Sequence, residues 1–487
     1  MNEQLPIAVI GAGPVGLAAA AQLVSRGLQP LILEKGPTVG AAILQWGHVK
    51  VFSPWRYTLD AATVPMLEAS GWRAPDPEAF PTGAEIVERY LAPLSRVPVI
   101  AAGLRLGTEV TAITRRGLDK LSDSGRADAP FALRVRDADG ERTLLARAVI
   151  DASGTWSRPN PAGIDGLPAP GERENADRIA YGIPDVAGAA FDAYAGKTVL
   201  VLGGGHSAIN AALAMIDVKD RAPDTTILWG LRRNSIGKLT GGGLNDQLPA
   251  RGALGLKAQT AIRDGRLEML APFSVQAVTR TGERLLLDTQ VDGAPRQISI
   301  DRMIVATGFR PDLSFLSEIR IALDPAVEAP PKLAPLIDPN LHSCGDVPPH
   351  GIDELTQPEP GFYIVGAKSY GRAPTFLMLT GYEQVRSIVA EIAGDPVAAR
   401  DVRLVLPKTG VCSVPEEIAA SGAGCCGAPA KSIEPSAAAS CCGGPAPAAV
   451  DACCVADATA KAEGASGCGC GSAKSVEQTR PVADAVA

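Results

Sequence analysis

The glycine-rich turn GAGPVG constrains this chain more than any other stretch, because it has the spacing of a dinucleotide-binding loop. It follows the apolar run IAVI, residues 7–10, which we expect to form a buried parallel strand. It precedes an Ala-rich segment, residues 14–26, which we expect to form a helix. Gly11 permits the tight turn, Gly13 lets the backbone approach a pyrophosphate, and Gly16 lets the helix pack on the strand. The helix N-terminus then offers free N–H groups to the phosphates.

A second strand, LQPLILE, completes this nucleotide site. It ends at Glu34, eighteen residues after Gly16, where a carboxylate can accept hydrogen bonds from ribose hydroxyls. We therefore assign Glu34 and the adjacent Lys35 to the first cofactor site. The alternative is an ordinary glycine turn followed by a solvated glutamate, and the combined strand, turn, helix and strand favour the nucleotide site.

The same pattern recurs at KTVLVLGGGHSAINAALAM. We expect residues 198–202 to form a strand and the following helix to extend through Met215. Gly203, Gly205 and Ala208 occupy the positions of the three small residues in the fingerprint. Two fingerprints in one chain imply two dinucleotides.

The residues around the second turn indicate which dinucleotide it binds. After the next strand, TTILWG, the chain has Arg232 and Arg233 where the first site has an acid. Arginines suit the 2′-phosphate of NADPH, and a pair of solvated surface arginines is the alternative. Ser207 is assigned to the same site. His206 also lies in the turn, and we favour a packing or capping role for it over a catalytic one.

Two further strand–turn segments divide the chain into domains. AVIDASGTWSRPNP and RMIVATGFRPD each end a strand in a small-residue turn followed by proline. The usual division in chains with two such sites places FAD at the N-terminal site and the nicotinamide at the internal one. We therefore expect an α/β fold of two Rossmann-like dinucleotide-binding domains, with an NADPH domain at 156–305 inserted into an FAD domain. The FAD domain would comprise residues 1–155 and the return segment 306–409, and residues 410–487 would form a disordered tail.

The last FAD-binding segment has two candidates. The stretch GFYIVGAKSYGRAPTFLMLTGYEQVRSIVAEIAGD has a strand at 362–365, a glycine-rich loop and a long amphipathic helix. We assign Gly366 and Lys368 in that loop to the cofactor site, with Ser369 beside them. The alternative is the Gly-Asp pair in HSCGDVPP, whose Asp346 stays open as an FAD ligand.

Four aromatic residues lie within twelve positions of a chain that is only 4% aromatic. They are Trp46, Phe52, Trp55 and Tyr57. They either wall the flavin or substrate pocket or form a local hydrophobic cluster, and the sequence does not distinguish the two.

The tail contains almost all of the cysteines. Of ten, only Cys344 precedes residue 410. The rest of the tail is rich in Ala, Gly, Pro and Ser and cannot bury enough apolar surface to fold. Soft thiolates select soft ions, and the tail contains no histidine for a mixed zinc site. We expect the tail to bind trivalent arsenic or another soft metal, with incidental thiols as the alternative. The assigned ligands are the three adjacent pairs, Cys425, Cys426, Cys441, Cys442, Cys453 and Cys454.

These motifs carry a family resemblance. GAGPVG, ASGTWSRPNP, GGGHSA and ATGF, in this order, resemble the flavin-containing monooxygenases. WGHVKVFSPWRY, KSYGRAPTFL and TGYEQVRS are similar to the NADPH-dependent flavoprotein monooxygenases associated with bacterial arsenic resistance. The resemblance implies that NADPH reduces FAD, that O₂ adds at the flavin C4a carbon to give a peroxyflavin, and that one oxygen passes to a small-molecule soft nucleophile. It requires no catalytic side-chain pair.

Two other functions stay open. One is a flavin reductase that passes electrons to the tail thiols or to their bound metal, and the other is a metallochaperone with a flavin body. A disulfide reductase needs a dithiol at the flavin, whereas residues 35–60 and 156–305 contain no cysteine. The absence of a membrane span, of a basic leader and of a large charge imbalance (net charge −7) predicts a cytoplasmic protein that does not bind nucleic acid.

Overall fold

The computed structural model describes residues 4–233, 249–341, 347–373 and 377–404. The strands in these residues are β1 (Ile7–Ile10), β2 (Pro30–Leu33), β3 (Leu104–Arg105), β4 (Glu109–Arg115), β5 (Phe131–Asp137), β6 (Gly140–Ala146), β7 (Ala148–Asp151), β8 (Ile179–Tyr181), β9 (Thr198–Leu202), β10 (Thr226–Gly230), β11 (Glu268–Leu270), β12 (Phe273–Thr281), β13 (Arg284–Val291), β14 (Ala294–Ile300), β15 (Arg302–Val305) and β16 (Phe362–Ile364).

The described residues also form thirteen α-helices. They are α1 (Pro14–Ser25), α2 (Ala41–Leu44), α3 (Val64–Glu68), α4 (Gly83–Ile86), α5 (Ala92–Ser95), α6 (Pro98–Ala101), α7 (Phe191–Tyr194), α8 (His206–Arg221), α9 (Pro249–Arg263), α10 (Ala334–Ile337), α11 (Ile352–Leu355), α12 (Met378–Ile392) and α13 (Pro396–Arg400).

The first sheet has the strand order β16-β7-β1-β2-β3, and all of its strands are parallel. β1 is central and completely buried, as expected for a continuous apolar run covered on both faces. Helices α1 and α12 pack against each other beside this sheet. The strands of the second sheet all lie between β7 and β16 in the sequence, whereas β16 pairs with β7 in the first sheet. The chain between β7 and β16 is therefore an insertion.

The second sheet has the order β11-β10-β9-β15-β8 and is also parallel. Helices α8 and α9 pack together beside it. Helix α8 extends to Arg221 rather than ending at Met215, because Ile216 and Val218 continue its buried stripe. The expected helix end at Met215 was therefore wrong by six residues.

Each parallel sheet is accompanied by a three-stranded antiparallel sheet, β4-β5-β6 and β12-β13-β14 respectively. The first of these is tied to the segment before β16 by a buried ion cluster. The carboxylate of Glu359 accepts from Arg115 Nε at 2.8 Å and from Arg126 Nη2 at 2.6 Å, and all three side chains are buried.

The two chain segments that connect the sheets run side by side. The Asn160 N–H donates to Gly308 O at 2.9 Å, and the Arg310 N–H donates to Arg158 O at 2.9 Å. The predicted α/β fold with parallel sheets is confirmed. The predicted domain boundaries at 155/156 and 305/306 stay predictions; they lie beside these connecting segments. Residues 410–487 lie outside the described residues.

Candidate active site at two glycine-rich turns

The first glycine-rich turn joins β1 to α1. Gly11 has a φ of +97°, and a Cβ there would lie 2.8 Å from the carbonyl oxygen of Ala152. A Cβ at Gly16 would overlap the carbonyl oxygen of Gly11, because helix and strand touch there. A Cβ at Gly13 would meet no atom within 4 Å. The turn is closed toward the protein and open at Gly13, which fits a pyrophosphate beside the helix N-terminus.

Glu34 follows β2 and fixes the loops around this turn. Its Oε2 accepts from the Ala12 N–H and its Oε1 from the Gly36 N–H, both at 2.7 Å. A carboxylate has about four acceptor positions, so two remain for ribose hydroxyls. Lys35 points elsewhere: its side chain is 71% exposed and its Nζ lies 2.7 Å from Glu109 Oε1. The structure thus brings Glu34, but not the Lys35 amine, to the turn.

The second turn, between β9 and α8, repeats this geometry. Gly203 has a φ of +138°, and a Cβ there would overlap the carbonyl oxygen of Ala306. A Cβ at Gly205 would meet no atom within 4 Å, so this turn too is open where a phosphate would approach. Ser207 lies in the first turn of α8 and faces a cavity described below. Both turns therefore fit a dinucleotide.

Arg232 and Arg233 are exposed and follow β10. β10 lies next to β9 as β2 lies next to β1. The two arginines thus follow β10 at the second glycine turn, just as Glu34 follows β2 at the first glycine turn. A planar guanidinium there can bind a phosphate through two parallel hydrogen bonds.

Lys368 lies in the 3₁₀ segment Gly366–Tyr370, and its amine is completely buried. Its Nζ donates to Asp151 Oδ2 at 2.7 Å and to Ser153 Oγ at 3.0 Å. Asp151 is the last residue of β7 and pairs in register with Ile10, next to the first glycine turn. The amine thus neutralises a buried carboxylate at the carboxyl edge of the first sheet, while Ser153 is exposed there.

Gly366 begins that segment with a φ of +67°. Its N–H donates to Gln384 Oε1 at 2.7 Å, and Gln384 Nε2 donates to Ser369 Oγ at 2.9 Å. His350 Nδ1 donates to Pro348 O at 3.0 Å, which leaves its Nε2 as acceptor for Gln384 Nε2 at 2.8 Å. Burial lowers the pKa of His350 and keeps the ring neutral. Sequence reasoning missed this network, because Gln384 in TGYEQVRS and His350 have no spacing that indicates a contact between them.

A cavity of about 360 Å³ lies where the N-terminus of α8 meets the N-terminus of α12. Its wall is mainly apolar and includes Trp156 and Ile183. Its polar side comprises Lys50, His206, Ser207 and Asn210. His206 is the first residue of α8 and packs against Phe52, with ring centroids 5.1 Å apart. That contact is the packing role favoured for it, although the residue also lines the cavity.

The four clustered aromatic residues divide between the two predicted roles. Trp46, Phe52 and Tyr57 line the cavity. Trp55 is buried in the core and is only 1% exposed. Three members thus line a cavity and the fourth lies in the core; that the cavity takes flavin or substrate stays a prediction.

A buried polar cluster lies directly behind this wall. The Tyr382 O–H donates to Thr58 O at 2.6 Å, and the Asp60 N–H donates to Tyr90 Oη at 3.2 Å. Among the described residues, Asp60 Oδ2 has no hydrogen-bond partner. Burial, together with a smaller effect of the nearby Glu383 carboxylate, raises the pKa of Asp60 to about 6.

Comparison with known proteins identifies the family. The family model for pyridine nucleotide-disulphide oxidoreductases matches residues 5–359. The chain belongs to this family. The predictions of an enzyme and of FAD and NADPH as its cofactors are confirmed. The comparisons support the predicted family resemblance only as far as an FAD- and NADPH-dependent oxidoreductase. They do not support the predicted link to arsenic.

Curated relatives include the ferredoxin--NADP reductase of Lactiplantibacillus plantarum, 25% identical over 394 residues, which are 80% of this chain and 97% of the relative. The ferredoxin--NADP reductase of Thermus thermophilus is 26% identical over 351 residues, 71% of this chain and 85% of the relative.

Solved structures share the fold. The bacillithiol disulfide reductase of Bacillus cereus is 21% identical with a TM-score of 0.58, over 80% of this chain and 99% of that one. The L-lysine 6-monooxygenase of Pseudomonas syringae is 18% identical with a TM-score of 0.51, over 82% and 100%. At these identities the likeness concerns the fold alone.

Several predicted site residues lie outside the described part of the chain. They are Asp346 and the six paired cysteines from Cys425 to Cys454. Within the described ranges, no group of three or more His, Cys, Asp or Glu is placed to hold a metal, and no residue is a cysteine. Over the same ranges, every helix is too short or too polar to cross a membrane.

Proposed function

We propose that this oxidoreductase is an NADPH-dependent, FAD-containing monooxygenase that transfers one oxygen atom of O₂ to a soft nucleophile. The observation that carries the proposal is the cavity at the N-termini of α8 and α12. It lies beside the glycine turn at Gly203 and Gly205, which fits NADPH, and its described wall is mainly aromatic and aliphatic, with no thiol among those residues. A disulfide reductase would need a dithiol at this place.

The residues of the chain have distinct tasks in this proposal. The open positions at Gly13 and Gly205 would hold the two pyrophosphates, and Glu34 would accept from a ribose of FAD. When bound, the flavin and nicotinamide supply the redox chemistry. The apolar wall excludes water from the reacting atoms, which suppresses loss of reducing equivalents to hydrogen peroxide. Such a site needs no general acid or base among its side chains.

We propose a trivalent arsenical or a sulfide as substrate, since both present a soft lone pair. For an arsenical the balanced reaction is As(III) + O₂ + NADPH + H⁺ → As(V)=O + NADP⁺ + H₂O. The arsenical is supported by the resemblance and by the paired cysteines of the tail, whose thiolates prefer soft ions. The tail would capture the arsenical and raise its concentration near the enzyme.

The test is incorporation of labelled oxygen. Full-length enzyme, NADPH and ¹⁸O₂ are incubated with methylarsonous acid or with dimethyl sulfide, and the product is analysed by mass spectrometry. One ¹⁸O atom per product and one NADPH per product support the proposal. NADPH consumption that yields only hydrogen peroxide contradicts it.

The tail is tested separately in the full chain. Serine replaces the six cysteines Cys425, Cys426, Cys441, Cys442, Cys453 and Cys454, with Cys412→Ser as the matched control. We expect the sixfold variant to lose arsenite binding and to turn over more slowly only at low arsenical concentration. Equal arsenite binding by wild type and variant removes the tail from the proposal.

A second candidate is reduction of a separate electron acceptor, because the curated relatives are named ferredoxin--NADP reductases. Anaerobic reduction of ferredoxin by NADPH, followed by its absorbance, tests this candidate. Rapid ferredoxin reduction together with no ¹⁸O incorporation favours it over oxygen transfer.

A further inference from the structure

The indole of Trp156 is held on several sides. It stacks on Phe309 with ring centroids 4.4 Å apart and an angle of 28° between the rings. The ring centroid of Trp46 lies 6.4 Å away, and the indole Nε1 donates to Gln45 Oε1 at 2.8 Å. Aromatic pairs at these distances contribute beyond their buried area. The indole therefore has one defined position in the cavity wall.

The Trp156 indole also has little free space on the side away from the cavity. A Cβ at Gly182 would lie 2.9 Å from Trp156 Cη2, so the glycine backbone supports the far edge of the indole. Gly182 has a φ of +84°, which favours glycine at that position. The indole thus fills the space between this backbone and the cavity.

The wall joins segments that are far apart in sequence. Trp156 lies on the segment that leaves the first sheet, and Phe309 lies on the segment that returns from the second. Near Trp156 and Phe309, the backbone hydrogen bonds of Asn160 and Arg310 hold these segments together. The pairing of these two connecting segments therefore fixes the position of the indole.

We propose that Trp156 determines substrate size: it limits the substituent on the reacting sulfur or arsenic atom to a small apolar group, and Gln45 positions its ring. The inference rests on the proposed oxygen transfer. A rigid apolar wall discriminates by about 10–200-fold per methylene-sized difference. Since Phe309 and the Gly182 backbone hold the indole in place, its truncation enlarges the cavity there and relaxes the size limit.

The experiment uses the full-length holoenzyme and two sulfides that do not bind thiols: dimethyl sulfide and methyl phenyl sulfide. The measured quantity is the ratio of kcat/KM for the phenyl compound to that for the methyl compound. We expect Trp156→Ala to raise this ratio about tenfold or more and Trp156→Phe to raise it less. Gln45→Leu should change KM for the phenyl compound with little change in kcat, because it reorients the ring without removing it.

Trp72→Phe is the matched control. The Trp72 Nε1 also donates a hydrogen bond, to Arg89 O at 2.7 Å, and the residue does not line the cavity. We expect its ratio to equal that of wild type. Trp156→Phe keeps an aromatic ring against Phe309 and keeps the inference testable if the alanine variant does not fold. A ratio within twofold of wild type in every folded Trp156 variant overturns the inference.

A binding measurement separates this inference from the proposed function. Dissociation constants for the two sulfides are measured by calorimetry with wild type and with each variant. If wild type oxygenates neither sulfide, the proposed oxygen transfer to sulfides fails, and the phenyl-to-methyl ratio of dissociation constants still tests the wall. A selective tightening for the phenyl compound in Trp156→Ala supports the inference. Equal ratios in all variants, or binding of neither sulfide to wild type, overturn it.

Discussion

The Nζ atom of Lys368 lies 2.7 Å from Oδ2 of Asp151, and neither side chain has any exposed surface. The pair joins the segment after β16 to the end of β7, beside the first glycine turn. Buried ion pairs cost desolvation when they form, yet removal of one partner leaves an uncompensated charge. The pair therefore fixes the carboxyl edge of the first sheet, where we propose that FAD binds.

We expect Lys368→Met to lower the free energy of unfolding by about 3–5 kcal/mol, because Asp151 then stays buried without its cation. Urea denaturation of the FAD-bound protein measures the change. Lys35→Met is the control: Lys35 is 71% exposed, and its pair with Glu109 should contribute at most about 1 kcal/mol. Equal losses in the two variants would contradict the role given to Lys368.

Two glycines of the first turn should respond differently to alanine. At Gly13 the added Cβ meets no atom within 4 Å, so Gly13→Ala should fold normally but obstruct the pyrophosphate. We expect its affinity for FAD to fall about tenfold or more, while its apoprotein unfolds at the urea concentration of wild type. Gly16→Ala should lower that concentration, because its Cβ overlaps the Gly11 carbonyl. Normal FAD affinity in Gly13→Ala would contradict the assignment of the turn.

The parts that the sequence predicted well are those set by local pattern. The turn at Gly11 and the strand and helix on either side of it depend on consecutive residues with strong conformational preferences. The strand at Thr198–Leu202 was predicted with its bounds for the same reason. Helix α8 was predicted too short because Ile216 and Val218 are recognisable as buried only once their neighbours are known.

The parts that the sequence did not predict depend on contacts between distant segments. Trp156 stacks on Phe309, 153 positions away, and Lys368 pairs with Asp151, 217 positions away. Pattern reasoning assigned Lys368 to the cofactor because its loop has the right topology, but an ion pair with a residue on another strand leaves no periodic signal. The split of the aromatic cluster, with Trp55 in the core, is likewise decided by packing.

Arg232 and Arg233 should select NADPH over NADH. We expect Arg232→Ala together with Arg233→Ala to raise KM for NADPH about tenfold or more and to leave KM for NADH unchanged. Only NADPH has a 2′-phosphate, so only NADPH loses charged hydrogen bonds to these arginines. Steady-state oxidation of both cofactors measures the effect. Arg263→Ala, which removes another exposed arginine, on α9, should change neither value. A parallel rise for both cofactors would indicate a general loss of structure.

The neutral ring of His350 predicts a loss of stability in acid. Its pKa is lowered in the folded protein, so between that pKa and the ordinary value of 6.5 the unfolded chain binds more protons. The contribution of His350 to stability should therefore fall as pH decreases below about 6.5 and stay level above 7. Protonation would also place an N–H against Gln384 Nε2. In His350→Gln this component should disappear, as measured by urea midpoints of variant and wild type at each pH.

Asp60 predicts the opposite slope. Its pKa rises from 3.8 unfolded to about 6 folded, so between these values the folded protein binds more protons than the unfolded chain. Its contribution should therefore fall by about 2–3 kcal/mol as pH rises from 4 to 7 and stay level above 7. Asp60→Asn removes this titration, so its stability relative to wild type should increase across that interval, as measured by urea denaturation. A constant difference between wild type and Asp60→Asn at all pH values would show that Asp60 ionises at its ordinary pKa, and that the cluster it forms behind the cavity wall is open to water.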